Sequence, residues 1–127
     1  ASDVYKRQIG KGEVIMKIKI LGTKYKIKYR VPSEDTRLEE SDGYCDKTTK
    51  SIVVHWPFAE APQNVGDLKT HRKKVLRHEI IHAFLFESGL AECSEITESW
   101  ALNEEMVDWI AYQSPKIFKA FKKANCL

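Results

Sequence analysis

One stretch of this chain decides more than any other. Residues 68–88 run without glycine or proline, and residues 80–86 read Ile-Ile-His-Ala-Phe-Leu-Phe. Asp67 before the stretch is a helix N-cap residue, and Gly89 after it suits the left-handed position that closes a helix. The segment therefore reads as one long helix. His78, Glu79 and His82 sit at the start of its most apolar part, where polar groups need a reason to be. Four residues apart, His78 and His82 share a helix face, one turn from each other.

The rest of the chain is organised around that helix. Its 127 residues support one domain with a modest core. Met16, Ile18 and Ile20 alternate with Lys17 and Lys19, and Tyr25, Ile27 and Tyr29 alternate with lysines and Arg30. This period of two predicts a hairpin turning at Gly22-Thr23, with one face on the core and a lysine face in water. Pro32 ends the second strand. Residues 33–41 suggest a short helix capped by Ser33, and residues 44–46 and 51–56 suggest two more strands, the second stopped by Pro57. A second helix, capped by Thr97 or Ser99, is expected to run through Tyr112 with Leu102, Met106, Trp109 and Ile110 on its apolar face. Ser114-Pro115 should break it, leaving a final helix over residues 116–124 that buries Ile117, Phe118 and Phe121. Strands first and helices last predict an α+β fold, a small antiparallel sheet packed on the histidine-bearing helix. Residues 1–15 show no such pattern, and their start, residues 1–8, resembles a translated adapter sequence. They are expected to be a non-native leader, with the domain spanning residues 16–127 from Met16.

Composition narrows the function classes. With 21 basic and 18 acidic side chains the net charge is +3, without the clustered excess of a nucleic-acid binder. The apolar run beside the motif is far too short to cross a bilayer, so no membrane partner is expected. Cys45, Cys93 and Cys126 are odd in number and contain no Cys-x-x-Cys pair. That argues against a disulfide framework and fits free thiols in the cytoplasm.

Two imidazoles one helical turn apart can each give a nitrogen to one zinc ion. Glu79 flanks such an ion rather than binding it, where a carboxylate can take a proton from activated water. A catalytic zinc wants a third protein ligand and an open position. His71 lies two turns back, roughly 10 Å along the axis, which is too far. His55 and Cys93 are minor candidates. Glu104 is the better one: it shares a face with Asp108 on the second helix, and Ala101 and Ala111 beside that face allow close approach of the two helices. Glu105 is the ligand if that helix is rotated. Asp108 is placed to accept a hydrogen bond from the far nitrogen of a ligand histidine.

The set His78-Glu79-Ile80-Ile81-His82 followed by Asn103-Glu104-Glu105-Met106-Val107-Asp108 resembles the gluzincin pattern of thermolysin-type peptidases. Glu104, Asp108, Ile110-Ala111 and Pro115 look closer to the ImmA/IrrE-like metallopeptidases. The resemblance covers residues 40–118. It implies a zincin-type helical core carrying the His-Glu-x-x-His helix, with zinc on His78, His82 and Glu104, Glu79 as general base, and Asp108 behind the ligands. It also implies a hydrolase acting on a peptide or protein substrate. Relatives of this kind occur in phages and mobile elements, where some cleave a repressor. Val107, Ile110 and Ile81 depart from the usual Ala, Phe and Gly of that pattern, and no helix-turn-helix segment is present.

The expected function is thus zinc-dependent hydrolysis of peptide bonds by Glu79-activated, zinc-bound water. Residues 51–56 are expected at the cleft, offering an open edge to an extended substrate, with Tyr44 or His55 stabilising the oxyanion. The alternative is a non-catalytic, zinc-stabilised binding or phage accessory protein, in which a fourth side chain would close the site.

Overall fold

The computed structural model describes residues 14–56, 67–94 and 99–127. The expected leader up to residue 13, the loop after Trp56 and the cap at Thr97 lie outside the described residues. The described residues form a small mixed α+β fold with one four-stranded open sheet and two long helices. The strands are β1 (Val14–Ile20), β2 (Thr23–Arg30), β3 (Gly43–Asp46) and β4 (Ser51–His55); the helices are α1 (Leu68–Glu87) and α2 (Glu104–Lys123).

β1 and β2 form the expected antiparallel hairpin. Its two-residue loop is Leu21-Gly22, with φ of 49° and 88°, the doubly left-handed geometry that matches strand twist. The strand begins two residues before Met16, and Ile15 packs against the core. Tyr25, Ile27 and Tyr29 are buried, while Lys17, Lys19 and Lys24 lie in water.

The sheet is not antiparallel throughout. Its order is β1-β2-β4-β3, and β4 runs parallel to β2. After Pro32 the chain passes through a 3-10 turn at Thr36–Glu39, capped by Asp35 and not by Ser33. It reaches the far edge as β3, then hairpins inward so that β4 fills the gap beside β2. All five residues of β4 are buried, the near-continuous burial of a strand with parallel pairing. β4 therefore has no open edge for a substrate; among the described residues β3 is the edge strand on that side.

Ile52 and Val54 of β4 join Tyr25, Ile27 and Tyr29 against Val75 and Ala83 of α1. The Asp67 carboxylate caps α1 by accepting from the Thr70 amide at 3.0 Å, and Gly89 closes it at φ 86°. A 3-10 turn at Trp100–Leu102 precedes α2, which starts later than expected because Asn103 caps it, its side chain accepting from the Met106 amide at 2.8 Å.

α2 runs antiparallel to α1 and does not break at Pro115. Proline lacks the N–H that would bond the carbonyl four residues back, which is that of Ala111. Arg77 of α1 donates Nε–H to this carbonyl at 2.6 Å, so the freed acceptor is satisfied from the neighbouring helix. The buried stripe of α2 is Val107 and Ala111, small enough for close packing on α1, whereas Trp109, Phe118 and Phe121 are exposed rather than buried.

Candidate metal centre

The site forms where β3, α1 and α2 meet. Antiparallel pairing of the helices sets Glu104 opposite His82, and Asp108 opposite Lys74 and His78. His78 Nε2 and His82 Nε2 are 3.1 Å apart, His82 Nε2 and Glu104 Oε1 2.6 Å, and His78 Nε2 and Glu104 Oε1 3.5 Å. A tetrahedral ion with ligands at about 2.0–2.1 Å has ligand–ligand edges of about 3.3 Å. The three atoms thus form a triangle of the right size, and the donor set of two imidazoles and one carboxylate suits a metal ion. His78, His82 and Glu104 could hold one together.

Protonation states agree with that use. Hydrogen bonds from Lys74 and then His78 outweigh burial and hold the Asp108 carboxyl below its usual value. An ionised Asp108 only accepts, so the proton of His78 sits on Nδ1, which donates to it at 3.1 Å. The lone pair of Nε2 is then left facing the other two ligands. Burial holds His82 below the usual histidine value against the pull of Glu104, leaving its ring neutral and able to coordinate. Phe86 stacks on that ring at 6.0 Å.

Glu79 is buried at 7% exposure. Burial first, and then the charge of Glu104, push its carboxyl up to about 8, with Lys74 opposing. It lies in the wall of an open cleft of about 220 Å³ that also takes in Asp42, Gly43, His71, Lys74 and Glu104. Gly43 makes this arrangement possible. A Cβ there would meet Val75 Cγ1 at 2.9 Å and the Val53 carbonyl oxygen at 3.0 Å, so only glycine lets β3 lie this close to the helix beside Glu79.

The other candidates lie elsewhere. Glu105 borders a separate groove with Trp100 and Trp109. Cys93 is exposed and outside the cluster. Register puts Gly43 and Cys45 on the sheet face toward α1, and Tyr44 and His55 on the opposite face. Tyr44 bonds there to Asp35 and Arg37. Neither Tyr44 nor His55 reaches the cleft to stabilise an oxyanion. His71 and Lys74 do line it, His71 paired with Asp42 at 2.7 Å. Sequence reasoning missed Lys74, although it lies four residues before His78 and so on the same face, and it gave Gly43 no part in the site.

No family model, curated protein or solved structure matches the chain.

Proposed function

We propose that this protein is a zinc-dependent metallopeptidase of the gluzincin type, similar to the ImmA/IrrE-like enzymes. The observation that carries the reading is the convergence of His78, His82 and Glu104 beside the buried carboxyl of Glu79, at one wall of an open cleft. Zinc held by these three residues would supply a Lewis acid that polarises a peptide carbonyl and acidifies water. Glu79, its ionised form favoured by the charge of a zinc ion on these ligands, takes the proton from the attacking water and passes it to the leaving amine. Asp108 keeps His78 in the tautomer that presents Nε2. His71 and Lys74 are the donors in the cleft wall that can face a developing oxyanion. The outer edge of β3, next to the cleft at Gly43, carries no further strand among the described residues and offers its outer backbone groups to an extended peptide, which at Gly43 would have to displace the Ser41 hydroxyl from the carbonyl.

The test joins metal analysis to hydrolysis. Protein made without added zinc should carry about one zinc per chain, since the described residues hold one three-ligand cluster. It should cleave members of a quenched fluorescent peptide library, lose that activity to a chelator and regain it with zinc. Glu79→Gln should keep the metal and lose nearly all turnover, because an amide accepts no proton. An active Glu79→Gln variant would overturn the hydrolytic mechanism. A protein that binds zinc but cleaves nothing, with a fourth side chain on the metal, would leave only the non-catalytic binding protein.

A further inference from the structure

Beyond Tyr112, α2 leaves the body of the described fold. Its last ties there are the Arg77 bond to the Ala111 carbonyl and the Lys74 ammonium over the Tyr112 ring, 5.4 Å from its centroid. From residue 113 onward every residue is exposed or half-buried. At about 100° per residue, Ile117, Phe121 and Ala124 stack along one line, with Phe118 on one side and Ala120 on the other. Lys116, Lys119, Lys122 and Lys123 take the opposite arc. No acidic residue occurs between Trp109 and Leu127. Phe118 is 57% exposed and Phe121 42%, their ring centroids 6.4 Å apart. Trp109, 59% exposed, stands at the near end of the same stretch.

We propose that the last turns of α2 seat the protein on an anionic membrane surface. Ile117, Phe118 and Phe121 enter the boundary between headgroups and acyl chains, and the four lysines on the other arc are drawn to the acidic headgroups by the field of the anionic surface. An apolar face of aromatic residues opposite a purely lysine face is the pattern of a helix that lies in the interface plane. No helix among the described residues is long and apolar enough to cross a membrane; the expectation of no membrane partner rested on crossing alone, whereas this segment lies on the bilayer.

Charge selects this occupant over others. A second copy packed on the apolar line of this segment would bring the flanking Lys116 and Lys122 of the two copies together, with no acidic side chain in residues 110–127 to pair them. An acidic protein groove would need discrete carboxylates within about 4 Å of each ammonium, including those on the far arc. A plane of anionic lipid attracts all four at once, because the helix is about 10–12 Å across and charge is felt over about 10 Å at moderate salt. The long lysine stems let the flanking ammonium groups reach the headgroup level. Membrane seating does not depend on hydrolysis, because the segment lies outside the metal cluster.

The test is flotation of the full chain with vesicles of phosphatidylcholine containing phosphatidylserine, beside vesicles of phosphatidylcholine alone. The chain should float with the anionic vesicles and not with the neutral ones, and added salt should weaken the binding. A Phe118→Ser/Phe121→Ser variant should bind at least roughly tenfold more weakly, through lost apolar burial. A variant with all four lysines changed to Gln should lose the preference for phosphatidylserine. Both should keep the parent's melting temperature and zinc content, since the changed side chains are exposed. Failure to float, binding indifferent to phosphatidylserine, or a dimer in sedimentation equilibrium that the phenylalanine variant dissolves would overturn the proposal.

Discussion

Glu104 leaves 71% of its side chain open to solvent, although its Oε1 lies 2.6 Å from His82 Nε2. A contact so exposed adds little to stability by itself. Its worth should therefore appear only with metal. Without zinc, Glu104→Gln should melt close to the parent. With zinc it should bind at least roughly tenfold more weakly, because an amide oxygen replaces an anionic ligand, and the zinc-induced stabilisation should shrink by about 1.4 kcal/mol for each tenfold loss. Asp108→Asn should weaken zinc by roughly 10–100-fold through the orientation of His78. Glu105→Gln, facing another groove, should bind zinc as the parent does. A zinc-competition titration on the three variants checks all of this; equal losses for Glu104→Gln and Glu105→Gln would remove Glu104 from the site. At this scale the spacing of His78 and His82 was enough to put them on one face. It was not enough to choose between Glu104 and Glu105, because that depends on how α2 is rotated against α1. Tyr44 and His55 were misplaced for a similar reason: alternation shows which strand residues share a face, but not which face meets the helix.

Among the elements, the caps at Asp67 and Gly89 were legible because they satisfy helix ends locally. The course of α2 through Pro115 was not, because its cause is an arginine 38 positions earlier in the chain, Arg77. That account makes a coupled prediction. Arg77→Ala should destabilise the protein by about 1–2 kcal/mol, by leaving the Ala111 carbonyl short of a donor. In a Pro115→Ala background the new amide can bond that carbonyl, so the same change should cost about 1 kcal/mol less. Urea denaturation of the four proteins measures the difference, and an equal cost in both backgrounds would show that Arg77 stabilises by some other route. The position of β4 was half legible. Residues 52–54, Ile-Val-Val, do not alternate, which suits a strand covered on both faces. That β4 pairs with β2 in parallel depends on the route through β3, which no local pattern records.

For the whole molecule, the order of strands and helices gave the α+β class, and alternation along the strands gave the apolar face between sheet and helix, while the polar ties between the layers are invisible to hydropathy. Glu87, at the end of α1, accepts from the Tyr25 hydroxyl of β2 and from the Lys50 ammonium of the β3–β4 turn, each at 2.7 Å. Lys50 first, and then Tyr25, hold its carboxyl down at about 2. Hydrogen bonds from Thr48 hold Asp46 at about 2 as well. At Asp35 bonds from Tyr44 and Arg37 outweigh the effect of burial and lower the carboxyl. Unfolded carboxyls titrate at about 3.9 to 4.3. Below that range the unfolded chain takes up protons that these three groups refuse in the folded state, so acid favours unfolding. The contribution of Glu87 is therefore complete above about pH 5 and is lost as the pH falls toward 2, where its folded carboxyl at last titrates. Glu87→Gln cannot titrate. It should start less stable than the parent at neutral pH and lose less on acidification, so that the two curves converge near pH 2. Melting temperatures of both proteins across that range, taken with metal removed so that zinc release does not add its own acid limb, provide the comparison. Two curves that fall in parallel would show that the tie between α1 and the sheet does not rest on the charge of Glu87.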